Sequence, residues 1–273
     1  MSRPRVVVVT NGNVFANLVL GPLLRDQELE THVVVTTGLR RQDRNRLLEA
    51  ARLAGRWGPR LAAYKVATYA VPLAAQSLTR RPALVPATSR RLGHPTTFTR
   101  DVNDPDVVRK VKELEPDLLV SVSCPYKISS DLLSLPRIGA VNVHSSLLPR
   151  YAGAGTYVHV LAHGERATGV TVHEMVERFD AGKVLQQREI PIPDDVSVFA
   201  LFARQCAVAG PALHDVLRTA VRDGVLRGQE QEAAARTWFP EPDRALVRRA
   251  RERGHPLIRL GEVPALARLG GHG

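Results

Sequence analysis

The sequence predicts an α/β protein, an open and mostly parallel sheet flanked by helices, with a helical insertion and a short helical C-terminal tail. Three observations carry this. The runs "RVVVVT" (5–10) and "THVVVTT" (31–37) are apolar through their centres instead of alternating, as strands buried on both faces are. Segments with helical spacing stand between such runs. The chain has 273 residues and 44% hydrophobic content, enough to bury a core in one large or two modest domains.

The elements follow in order. "VFANLVLGPLLRD" (14–26) is helical, with Phe15, Leu18, Leu23 and Leu24 available for one face. "NDPDVVRKVKELEPD" (103–117) starts a helix with Asp104 as cap and Pro105 in the first turn, and Val107, Val108, Val111 and Leu114 recur along it. "DLLVSVS" is a strand, "SSDLLSLP" a short helical turn and "GAVNVH" (139–144) the next strand. "ATGVTVHEM" (167–175) alternates, and "GKVLQQREIPI" forms a further strand after the "DAG" turn. Residues 194–224 are a long helical segment, expected to break near Pro211. Residues 55–91 and the tail beyond about 225 do not fit the alternation. The first holds the apolar run "LAAYKVATYAVPLAAQSL", where Pro72 argues against one continuous helix. The second is helical around "DRALVRRARERG", shows no strand alternation, and carries "TWFPEP" (237–242), expected to pack the tail helix onto the body. A division at 1–222 and 223–273 follows.

Charge is uneven. Residues 40–91 hold twelve Lys and Arg against two Asp and Glu, a net of +10, while the rest holds 26 against 25. Three readings of this insertion stay open: a lid or homodimer element, a patch for an anionic partner, or a segment resting on a membrane surface, basic flanks on headgroups. No segment has the length of a membrane span, and the N-terminal apolar run is too short for a signal peptide. Cys124 and Cys206 sit in apolar surroundings and read as inert thiols of a reducing, cytoplasmic setting.

The chemistry concentrates in "AVNVHSSLLPRYAGAG" (140–155), where an apolar strand ends in Asn142 and His144. Side chains two apart on a strand share a face, and ligands of open α/β sheets bind beyond the carboxyl ends of strands. Asp180, in "VERFDAG", supplies a carboxylate that would orient the imidazole and favour its charged form. An Asn amide beside such an imidazole can cradle a developing oxyanion. No nucleophile elbow is present, so Asn, His and Asp point to acyl transfer with the attacking group supplied by a substrate. His159 and His163 are four apart, but no third metal ligand presents itself, and no metal is expected.

"NVHSSLLPRYAGAG" followed by "TGVTVHEMVERFDAGKVLQQREIPI" resembles the folate-dependent formyltransferase family, with its N-x-H-x-S-L-L-P motif and an Asp 36 residues after the His. The resemblance implies a Rossmann-like sheet of the formyltransferase type and 10-formyltetrahydrofolate as formyl donor. It implies that Asn142 polarises the formyl oxygen, that His144 acts as the acid beside it, and that Asp180 supports His144 and an ordered water. It places the pteridine against Val176, Glu177, Arg178 and Phe179, and the folate pocket against "PYKISSDLL", including Lys127 and Ile128. Ser146 matches the motif serine, and Gly153 a glycine near the acceptor, which His173 could also reach. "TNGNVFANL", with Gly12 and Asn13 on the acceptor side, is closer to tRNA- and sugar-directed relatives than to enzymes with a Gly-rich phosphate loop. The tail, without the C-terminal barrel of methionyl-tRNA formyltransferases, argues against tRNA. The expected acceptor is a primary amine of a small molecule, sugar or carrier-bound group. A deformylase using water, or a tRNA-directed enzyme lacking the barrel, remains the alternative.

Overall fold

A computed structural model describes residues 3–37 and 46–269. Five parallel strands come first: β1 (Arg5–Thr10), β2 (Glu30–Thr36), β3 (Thr96–Thr99), β4 (Leu118–Val122) and β5 (Gly139–His144). The short strand β6 (Ala152–Gly153) stands apart, and β7 (Ala167–Glu174) and β8 (Val184–Pro191) complete the main sheet antiparallel. The order is β3-β2-β1-β4-β5-β7-β8, with α3 (Val85–Leu92) leading into β3 and α6 (Thr156–His163) lying between β6 and β7 in the chain.

The unbroken apolar runs have a simple cause, because both faces of the sheet are covered. Val6, Val8, Val33, Val35, Leu118 and Val120 enter one buried cluster with α1 (Val14–Arg25) and α7 (Val198–Asp223). Val7, Val9, Val34 and Leu119 enter the other, with Val107 and Val111 of α4 (Pro105–Glu113) and Leu132 of α5 (Ser130–Leu133). Each fully buried aliphatic side chain contributes about 1.5–3 kcal/mol. Asp104 caps α4 as expected, accepting from the Asp106 N–H at 2.9 Å.

Three expectations are corrected. α7 runs through Pro211 without interruption. The adjacent Gly210 lies against α1 so closely that an added Cβ would stand 3.0 Å from the Val19 carbonyl, so tertiary packing holds the helix across the missing N–H. In the insertion, α2 (Arg46–Thr79) contains Pro72, and its discontinuity lies instead at Gly58, where φ is 69°. Glycine takes that left-handed conformation without a Cβ clash, and Pro59 then starts the next helical segment. Finally, the tail is not helical alone. Trp238–Phe239 form β9, parallel to β6, ahead of α8 (Arg244–Glu252) and α9 (Val263–Arg268).

The two parts that break the strand–helix alternation pack on each other. α2 lies against α8 and α9, and Lys65 pairs with Glu241 at 2.5 Å. Leu61 and Tyr64 of α2 share the main buried cluster with Val247, Leu257 and Leu266 of the tail. Residues 40–45 of the basic stretch lie outside the described residues. Arg56, Arg60, Arg80, Arg81, Arg90 and Arg91 are exposed, as are Val66, Tyr69 and Leu73 of α2. No helix of the described residues is long and apolar enough to cross a membrane.

Candidate active site

β5 and β7 run antiparallel with Asn142 opposite His173 and His144 opposite Thr171, so two polar pairs share one sheet face where β5 ends. The His144 Nε2–H donates to the Tyr151 carbonyl at 2.7 Å. That carbonyl can only accept, so Nε2 carries a hydrogen and Nδ1 is the nitrogen turned to Asp180, 3.6 Å from Oδ1. The other carboxylate oxygen accepts from the Gly153 N–H at 2.9 Å. Asn142, His144, Gly153 and Asp180, expected at one site, lie at the end of β5 and in the turns around it, across a fold that separates them in sequence.

His173, which could reach an acceptor or stand behind the site as a packed or supporting side chain, takes the second position. It is 2% exposed, behind Asn142 rather than at an acceptor surface. Its Nδ1–H donates to the Glu174 carbonyl at 2.8 Å, and its Nε2 lies 3.0 Å from Asn142 Nδ2. Burial, with His144 nearby, pushes its pKa down to about 4 against the opposing pull of Asp180. The ring is therefore neutral near pH 7, and Nε2 accepts a hydrogen from the Asn142 amide. This fixes which way the amide points and leaves its second N–H for another acceptor. A shift in register between Val172 and His173 against β8 marks a bulge beside this ring.

The low His173 pKa has a thermodynamic consequence. Between about 4 and the ordinary 6.5, the unfolded chain binds more protons at this site than the folded protein does. Its contribution to stability is full above pH 6.5 and is lost as pH falls toward about 4. His32, His159 and His163, also lowered chiefly by burial, add to the same slope. The melting temperature is expected to fall on acidification through this window, and less steeply in His173→Gln. Equal slopes in the two proteins would show that His173 titrates normally.

Four further residues depart from expectation. Ser146 is fully buried, and its hydroxyl donates to the Arg150 and Tyr151 carbonyls, so it shapes the turn under His144 and offers nothing to a donor. Ile128 is buried in the second cluster, whereas Lys127 beside it is exposed. Gly12 is buried under Val35 and Pro86, where an added Cβ would meet atoms at 3.0 and 3.3 Å. The Asn13 carboxamide oxygen caps α1 by accepting from the Ala16 N–H at 2.8 Å. Gly12 is thus committed to packing and the Asn13 oxygen to the helix start, while Asn13 itself stays half-buried. Val176, Glu177, Arg178 and Phe179 form an exposed loop that leads directly into Asp180.

Residues that sequence reasoning passed over hold the His144 loop. Thr171 Oγ1 donates to the Ser146 carbonyl at 2.6 Å and accepts from the Leu148 N–H at 3.1 Å. The Gln205 amide donates to the carbonyls of Ser145 and Gly169, both at 3.0 Å. Thr171 could have been found, because it stands two residues before His173 on an alternating strand. Gln205, within a helix, gives no such signal. His159 donates to the Pro240 carbonyl, and His163 bonds the Tyr151 hydroxyl. No thiol is poised to attack, since burial pushes Cys124 up to about 11 and raises Cys206 as well.

Residues 61–217 match the model of the formyl transferase family, more than half of the chain. The chain belongs to the formyl transferase family. Among curated relatives of this family member, a methionyl-tRNA formyltransferase of Anaeromyxobacter sp. (strain K) is 39% identical over 158 residues, 58% of this chain and 50% of the relative. The chain therefore spans about half the length of the curated relatives it matches. Solved structures with the same fold include a sugar N-formyltransferase from Shewanella sp FDAARGOS_354 (TM-score 0.56, 19% identity, 88% of this chain and 77% of that one). Another is an N-formyltransferase from Helicobacter canadensis in complex with folinic acid and dTDP-3-aminofucose (TM-score 0.56, 13% identity, 88% and 71%).

Proposed function

We propose that this formyl transferase moves a formyl group from 10-formyltetrahydrofolate to a primary amine. The observation that carries the reading is the placement of Asn142 and His144 on one face at the end of β5, with Asp180 3.6 Å from His144 Nδ1. The loop before Asp180 suits the donor: Val176 and Phe179 are 43% and 54% exposed and give a flat pterin ring an apolar neighbour beside the carboxylate. The co-substrate supplies the electrophilic formyl carbon. The free Asn142 N–H and, in the doubly protonated imidazole that Asp180 supports, the Nδ1–H of His144 stabilise negative charge on the formyl oxygen as the amine attacks. Asp180 orients His144 and accepts, directly or through water, the proton that the amine sheds on its way to the departing folate nitrogen. Holding two substrates in line supplies much of the remaining acceleration. In this reading residues 1–222 carry the chemistry and 223–273 support it, and the free thiols suit a cytoplasmic setting.

The acceptor is an amine on a small molecule, a sugar or a carrier. One solved relative contains an aminosugar nucleotide, and the 39% identical relative is named for methionyl-tRNA, so an aminoacyl-tRNA belongs among the candidates despite the expectation against it. The test is to incubate the full chain with 10-formyltetrahydrofolate and a panel of aminosugar nucleotides, small amines and methionyl-tRNA. Tetrahydrofolate and the formylated amine are then measured together. Stoichiometric transfer to one class is expected. Formate released at the same rate without any amine would make the protein a deformylase instead.

A further inference from the structure

Asp180 is not a glycine, yet its φ is 51°. A side-chain-bearing residue keeps that left-handed conformation only where its surroundings over-determine it. The surroundings come from the C-terminal tail. The Arg236 guanidinium donates to the Asp180 carbonyl at 3.1 Å and to the Phe179 carbonyl at 2.8 Å. The Gln231 amide donates to the Asp180 carbonyl at 3.0 Å and to the Gly182 carbonyl at 2.7 Å. Three carbonyls of one turn thus depend on two side chains far along the sequence.

The same segment holds the carboxylate from its other side. Gly153, whose N–H bonds Asp180 Oδ2, is paired with Phe239 in the β6–β9 ladder. The Ala154 N–H donates to the Phe239 carbonyl at 3.0 Å, and the Tyr151 N–H to Thr237 Oγ1 at 2.8 Å. The segment is tied at its start to β8, where Gln229 and Val184 exchange backbone bonds of 2.8 and 2.9 Å. Residues 229–239 therefore run from β8 across the Asp180 turn to the strand that carries Gly153, fastened at each stage.

We propose that Arg236 and Gln231 are positioning residues for Asp180, and that the tail strap, rather than the turn itself, sets where the carboxylate stands relative to His144. This rests on the formyl-transfer reading for its kinetic part only. The geometry favours Arg236 as the stronger of the two. Its donors are charged, fork-shaped and directed at consecutive carbonyls, and charge-assisted bonds are roughly twice as strong as neutral ones.

The experiment uses the full chain with Arg236→Ala, Arg236→Lys and Gln231→Met. Two quantities are read: amide hydrogen exchange over residues 153–155 and 176–184, and kcat with donor KM in the transfer assay. Arg236→Ala should speed exchange in both segments at least about tenfold and lower kcat about 10- to 100-fold, the scale of a 1 Å misplacement. The kcat loss should exceed any rise in donor KM, and Arg236→Lys should recover part of it. Gln231→Met should give the same pattern, weaker. Unchanged exchange in all variants overturns the proposal, as does faster exchange with kcat intact. Should Arg236→Ala not fold, Arg236→Lys and Gln231→Met decide by the same two readings. A wild-type chain that transfers no formyl group would sink the formyl-transfer reading, while exchange would still show whether the strap holds the turn.

Discussion

Asn142→Ala is expected to lower turnover about 10²- to 10³-fold, the usual cost of losing one preorganised oxyanion donor. The reason is specific to this site. The amide has one hydrogen committed to the neutral His173 ring at 3.0 Å, so its orientation is fixed before substrate arrives and its second hydrogen has one direction to point. Asn142→Asp is an instructive companion: nearly the same size, it replaces the donor with an acceptor that His173 Nε2 can meet only by gaining a proton. It should lose as much activity as Ala, or more. Donor binding, measured by fluorescence or calorimetry, should change little in either variant. Wild-type-like turnover in Asn142→Ala would remove the amide from the chemistry.

Gly153→Ala is expected to damage both stability and activity. An added Cβ would stand 2.0 Å from the Phe239 carbonyl, a distance no packed atoms tolerate, and the residue has φ of 107°. The backbone conformation alone costs a non-glycine residue about 1–3 kcal/mol. Relief requires β9 to leave β6, which also withdraws the register that aims the Gly153 N–H at Asp180. Melting should fall by about 2–4 °C for each kcal/mol lost, and turnover should fall further than the remaining folded fraction explains. A variant with normal melting and normal turnover would mean that the strap can shift without consequence.

Much of the fold and the central residues were legible in the sequence for physical reasons. Strands covered on both faces must be apolar at every position, so 5–10 and 31–37 announced themselves. Two polar residues at alternate positions ending such a strand are costly unless used, so Asn142 and His144 stood out. The rest was hidden because it leaves no period. β9 is two residues long, and Gln231 and Arg236 act through side chain-to-carbonyl bonds that no spacing rule encodes. Ser146 lay within the motif but turns inward to its own loop. Local preference at Pro72 and Pro211 favours a break, and the packing around each helix overrides it.

The strap also orders events in time. Asp180 emerges from the ribosome 56 residues ahead of Arg236, and Gly153 86 residues ahead of Phe239. The sheet can form on the nascent chain while the turn that bears the carboxylate still lacks its fasteners. Completion of the Asp180 turn thus waits until residues 229–239 have emerged, and a chain translated only as far as β8 holds the sheet before it holds the fastened carboxylate.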